Sequence, residues 1–172
     1  MDFSLVRVDN RLVHGQILEA WLPYTKAASI IIADDDVAGD FFRETVIKMA
    51  VPSDIEVLVF TIEEFSRLYT YNHSGGKRTI LLFSTIGNAL RSYDLGFKFR
   101  KLNIGNVYNE EGKIRFAASI FLTEKDIRDL QSMSEAGVII DLRCVPRDKP
   151  LNFGDIAGKI SAASRSSSDE QG

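Results

Sequence analysis

The chain has 172 residues, a size that suits one compact domain, and 45% of them are apolar, enough to bury a sizeable core. A net charge of −3 gives no footprint for nucleic acid or an anionic membrane, and a lone cysteine excludes an internal disulfide and a cysteine-built metal cage. The opening Met1-Asp2-Phe3-Ser4 lacks the pattern of a secretory signal and no apolar run nears the ~18 residues of a membrane span, so a cytoplasmic protein without cofactor or metal is expected.

In chain order, residues 3–8 alternate apolar and polar and read as a strand. Residues 16–26 carry helical periodicity, with Pro23 near the end. Residues 29–33 form an apolar strand, followed by Asp34-Asp35-Asp36, a solvated turn or helix N-cap. A helix over 40–49 stops before Pro52, a strand runs over 55–60, and a helix over 62–69 precedes Gly75-Gly76. A strand over 79–83 and a helix over 86–95, closed by Gly96, come next. Strands over 101–104 and 114–121, joined through Tyr108-Asn109-Glu110-Glu111-Gly112, break the strict alternation. Thr123 caps a helix over 124–134, Gly137 ends it, and residues 138–145 make the closing strand. The pattern is an α/β one: a single-domain, open, mostly parallel, doubly wound sheet of about seven strands with helices on both faces. Residues 1–153 form the domain and 154–172 a C-terminal extension whose small, polar end reads as disordered.

Ligands of such sheets bind outside the carboxyl ends of the strands. The richest stretch there is Asp9–Gln16. His14-Gly15-Gln16 opens a helix, so free N–H groups and the positive end of its dipole surround the imidazole. Arg11 offers a charged fork for an oxyanion, and Gly15 allows close backbone approach. An ordinary imidazole, with a pKa near ~6.5, is largely neutral and nucleophilic at cytoplasmic pH. Donors around it suit a phosphoryl group, whose transfer spreads charge over the equatorial oxygens. The stretch reads as a transient phosphohistidine site, against the bland alternative of a capping or packing histidine. His73 lies in a turn and takes no role. Gly75-Gly76-Lys77 precedes a strand and lacks the spacing of a phosphate loop, and Cys144 suits a small core residue.

The run Arg7-Val8-Asp9-Asn10-Arg11-Leu12-Val13-His14-Gly15-Gln16 resembles the active-site loop of enzyme IIB components of the mannose/sorbose family, part of the phosphoenolpyruvate-dependent sugar phosphotransferase system. Trp21, Ile31-Ile32-Ala33-Asp34-Asp35-Asp36-Val37-Ala38, Met49-Ala50-Val51-Pro52, Asn103-Ile104-Gly105-Asn106-Val107 and Val145-Pro146-Arg147-Asp148-Lys149-Pro150 extend the likeness, in order, over about residues 1–153. The resemblance implies that His14 takes a phosphoryl group from a IIA protein or domain, on Nδ1, and passes it to a sugar held by membrane IIC and IID components. It implies that Arg11 clamps the phosphoryl oxygens, that Gly15 and Gln16 donate backbone hydrogen bonds and that Asp9 orients the loop or ring. Asp35, Ser84 and Asn106 are placed at neighbouring strand ends to complete the pocket. The protein would be cytoplasmic, peripherally associated with the transporter; homodimerisation is open to it by the same resemblance.

Asn10 stands where many relatives are acidic, and Arg143 where glutamine is common; extra positive charge there would bear on phosphoryl retention or partner choice. A two-component receiver fails, because Phe60-Thr61-Ile62 occupies the place of its phosphoacceptor aspartate. The serious alternative is a regulatory phosphoprotein that binds partners according to the state of His14. A small-molecule-binding domain without phosphoryl chemistry is the third.

Overall fold

The computed structural model describes residues 1–70, 76–108, 114–117 and 119–156. The expectations placed on His73, on Gly75, on the link 109–113 and on the end of the chain from 157 lie outside the described residues.

A parallel six-stranded sheet is built from β1 (Asp2–Val8), β2 (Ser29–Ala33), β3 (Glu56–Phe60), β4 (Arg78–Phe83), β5 (Lys101–Ile104) and β8 (Ile139–Asp141), in the order β3-β2-β4-β1-β5-β8. All five residues of β2 are buried, as a central strand covered on both faces requires. Each of its three isoleucines, wholly removed from solvent, contributes roughly 1.5–3 kcal/mol.

The helices divide the core in two. On one face pack a π-helical segment (Gln16–Trp21) continuing into α1 (Leu22–Thr25), with Leu12, Trp21, Ile30, Ile32 and Val37 beneath. On the other lie α4 (Ile62–Tyr69), α5 (Ile86–Asp94) and α6 (Glu124–Glu135), over Val6, Val8, Phe65, Phe83 and Phe97. Capping chemistry sets the starts: Thr61 and Thr123 each form a reciprocal capping box, with Glu64 and Asp126, and Thr85 accepts from Asn88 N–H. Asp34 caps a short α2 (Asp35–Ala38), and Asp40 caps α3 (Phe41–Ala50).

Three expectations change. The strand expected over 114–121 is a separate antiparallel hairpin, β6 (Ile114–Ala117) and β7 (Ile120–Leu122), so the main sheet has six strands rather than about seven. No glycine or proline marks the turn, so the apolar run reads as continuous. The helix expected over 16–26 begins as a π-helix and ends at Lys26, whose φ is 53°. The closing strand stops at Asp141 instead of Val145, because the carbonyls of Arg143 and Cys144 accept from side chains of the site rather than from a neighbouring strand.

Candidate active site

Arg7 is the second-last residue of β1, on the face of the strand that meets Trp21, and is wholly buried. A charged residue there needs partners on every side. Its Nε and Nη2 donate to Asp9 Oδ2 at 3.1 and 2.8 Å, Nη2 to Gln16 Oε1 at 3.2 Å, and Nη1 to Asn103 Oδ1 and to Cys144 O at 3.1 Å. The Trp21 ring lies 5.5 Å from the guanidinium carbon, its Nε1 donating to the same Cys144 carbonyl at 2.9 Å. A Cβ on Gly105 would fall 1.9 Å from Arg7 Nη2, so only glycine leaves room for the guanidinium.

Asp9, also wholly buried, is the hub. It receives Arg7 on one side and His14 Nε2 at 2.9 Å on the other, while Oδ1 accepts from Arg11 N–H at 3.0 Å and fixes the loop as an Asx turn. Burial pushes the Arg7 guanidinium below its ordinary value, against the charge and hydrogen bond of Asp9. Burial also works to raise the Asp9 carboxyl, but the hydrogen bond from His14 and the charge of Arg7 outweigh it, holding the group below the usual carboxylate range.

A carboxylate only accepts, so a neutral His14 ring facing Asp9 carries its proton on Nε2 and keeps the lone pair on Nδ1. Asn106 Nδ2 lies 3.3 Å from the same Nε2 and donates to Asp9 Oδ2 at 3.2 Å and Gln16 Oε1 at 3.1 Å. The side chain of His14 is only 7% exposed. Leu12 explains the shelter: it holds a left-handed φ of 52° while its side chain is buried in the core, drawing the loop inward. That backbone conformation costs a branched residue about 1–2 kcal/mol, which burial of the side chain offsets.

The helix that follows takes its first bonds from Ile17 and Leu18 N–H to His14 O, so the amides of Gly15 and Gln16 stand ahead of the ladder. A Cβ on Gly15 would meet only Glu19, at 3.7 Å, so the fold itself does not require glycine there. Arg11 is exposed, and its guanidinium has no ion pair among the described residues.

The structure does not bring Asp35 to the histidine, contrary to the expectation that it lines the pocket. Its carboxylate accepts from Ile62 N–H and pairs with Arg91, and the first of these, with Arg91's help, holds its pKa down. Ser84 is corrected too: its hydroxyl donates to Asp34, and it reaches the loop only through its carbonyl, which accepts from Asn10 Nδ2 at 2.7 Å. Asn10 in turn accepts Tyr108 N–H at 2.6 Å. An amide donates and accepts at once, which an acidic side chain there cannot do, so this departure has a structural use. Arg143 adds no free charge, because Asp141 binds its guanidinium at 2.8–3.1 Å.

Sequence reasoning quoted Arg7 and Asn103 but gave them no role. The signal was available: a charged residue two positions before Asp9 in a strand shares its face, and an asparagine interrupts an apolar strand that pairs with it, Arg7 opposite Asn103.

Residues 3–170 match the family described as PTS system sorbose subfamily IIB component. The sorbose-specific EIIB component of Klebsiella pneumoniae is 31% identical over 155 residues, 90% of this chain and 94% of that protein. The mannose-specific EIIAB component of Escherichia coli K12 is 29% identical over 160 residues, 93% of this chain; the chain spans about half the length of that relative, 50%. The solved IIBSor domain of the sorbose permease from Klebsiella pneumoniae superposes with a TM-score of 0.83 at 30% identity, covering 92% of this chain and 98% of that one.

Proposed function

The chain belongs to the sorbose subfamily of IIB components of the phosphotransferase system, and from that membership we propose that it is a phosphocarrier with His14 as its transient phosphohistidine. The observation that carries the reading is the Nε2–Asp9 hydrogen bond, which leaves Nδ1 as the nucleophile. Nδ1 attacks the phosphorus of a phosphohistidine on a IIA partner. The new N–P bond forms as the donor's N–P bond breaks, and the donor imidazole leaves. The ring gains positive character in this step, and the Asp9 carboxylate, itself held by Arg7, stabilises it. In the second half-reaction a sugar hydroxyl, presented by membrane IIC and IID components, attacks the same phosphorus: the O–P bond forms as the N–P bond breaks, the hydroxyl proton passes to solvent, and the neutral imidazole is freed.

Arg11 and the amides of Gly15 and Gln16 are the donors for the phosphoryl oxygens; the exposed guanidinium of Arg11, with no ion pair among the described residues, supports that role. Asn106 and Gln16 hold the Arg7–Asp9–His14 relay in register. Asp35 and Ser84 take no part in this reading, because their side chains are committed elsewhere. The donor already supplies a high-energy N–P bond, so the mechanism calls for neither nucleotide nor metal. No helix among the described residues is long and apolar enough to cross a membrane, which suits a peripheral place beside membrane-bound partners.

Incubation of the pure protein with phosphoenolpyruvate, enzyme I, HPr and a mannose-family IIA, followed by intact mass under neutral conditions, tests this. One acid-labile phosphoryl group is expected, and none in His14→Ala. No modification beside a demonstrably phosphorylated IIA, including the organism's own, overturns it.

A further inference from the structure

A cavity lies at the other end of β1 from the histidine loop. There the strand pairs with β5 only through Arg7 and Val8, opposite Asn103 and Ile104, and the two diverge toward their amino ends. The opening is a cavity of about 500 Å³ walled by residues 2–6 of β1, by Trp21 and Tyr24, and by residues 97–101 that lead into β5. Phe3, Trp21, Phe97 and Phe99 border it, Trp21 and Phe97 from beneath with 2% and 1% of their surface exposed. Lys98, Arg100, Lys101 and Arg143 line it against two carboxylates, Asp2 and Asp141, with Lys98 Nζ donating to the Tyr93 carbonyl at 2.7 Å and lying over its ring. Asp141 is taken by Arg143 at 2.8 Å and Lys101 at 3.6 Å, whereas Arg100 is exposed with no ion pair among the described residues. A cavity of this size, part aromatic and part cationic, fits a small organic anion with an apolar ring.

Its inner wall is the back of the histidine site. Trp21 and Asn103 line the cavity, and both touch Arg7: the indole covers the guanidinium, and Asn103 Oδ1 accepts from it. Asn103 Nδ2 also holds the Arg143 carbonyl at 3.0 Å, beside a side chain that faces the cavity. We propose that this cavity binds a small amphipathic organic anion and that its occupancy, acting through Trp21 and Asn103 on Arg7 and Asp9, changes how readily His14 is phosphorylated; the second half of this statement rests on the phosphocarrier reading.

The chain has one tryptophan, Trp21, which lines the cavity and serves as the reporter. Full-length protein is titrated with 1-anilinonaphthalene-8-sulfonate, a ring-bearing anion, while Trp21 emission and energy transfer to the probe are followed. Saturable one-to-one binding that quenches Trp21 is expected. The exposed pair Lys98→Glu and Arg100→Glu weakens it at least tenfold, with the circular dichroism and melting curve showing an intact fold. No saturable binding overturns the site. Binding indifferent to the charge reversal also overturns it, and places the probe on another apolar surface, such as the exposed Phe41, Phe42 and Met49 of α3. In the second arm, probe saturation changes the rate of phosphoryl transfer from IIA at least threefold in the parent and not in the reversed variant. An unchanged rate overturns the coupling. Absence of any phosphorylation without probe counts against the carrier reading alone, since the fluorescence arm decides the cavity by itself.

Discussion

Two strand ends in this molecule place aspartates at the carboxyl edge of the same sheet, and the outcome differs. After β1, Asp9 is wholly buried between Arg7 and His14. After β2, Asp34 is nearly as buried but caps α2 through Val37 N–H and accepts from Ser84, while Asp35 lies at the surface with Arg91. The first carboxylate faces a titratable ring and a fixed cation, so its charge is directed at a reacting group. The others face amides, a hydroxyl and a solvated arginine, and their charge holds structure. Position at a strand end is common to all three; the partner decides which of them serves chemistry.

The largest expected separation comes from Asp9→Asn. An amide leaves the Arg7 charge uncompensated, costing about 3–5 kcal/mol. It can also donate to Nε2 and move the ring proton to Nδ1, slowing phosphorylation by on the order of 10²–10⁴. Urea melts and a timed IIA transfer assay measure the two effects. If transfer survives at near-parental rate, Asp9 is no different in kind from Asp34.

The comparison sharpens with pH. The Asp9 carboxyl is held below its unfolded value of about 3.9, so its contribution is fully present above that pH and is lost as pH falls through the lowered folded value. Stability measured from pH 6 down to 2 should drop through this window in the parent and lose part of that dependence in Asp9→Asn.

Gly105→Ala comes next. The methyl group would displace Arg7, and overpacking of this kind costs about 1–3 kcal/mol, with transfer impaired alongside. Asp34→Ala removes a cap and is expected to cost about 0.5–2 kcal/mol while phosphorylation of His14 persists. The smallest effect belongs to Arg91→Ala, since an exposed pair is screened by solvent; its melting temperature should move less than that of Asp34→Ala, with transfer unchanged.

Much of this was legible in one dimension. Helix 62–69 fell on its observed bounds because its apolar residues recur at helical spacing, and β2 because three consecutive isoleucines stand between the small residues Ser29 and Ala33. His14, Arg11 and the helix start were read from residue types next to one another in the chain. Local chemistry, capping and periodicity act over a few residues, so the sequence by itself determined the α/β alternation and the histidine at its first junction. Tertiary structure decided what depends on residues far apart: that Asn103, 96 positions from Arg7, completes its cage; that the carbonyls of Arg143 and Cys144 serve side chains and end β8 early; that Asp35 turns to Arg91. A buried charge takes whichever partners the packing brings within hydrogen-bond reach, and no spacing along the chain encodes that choice.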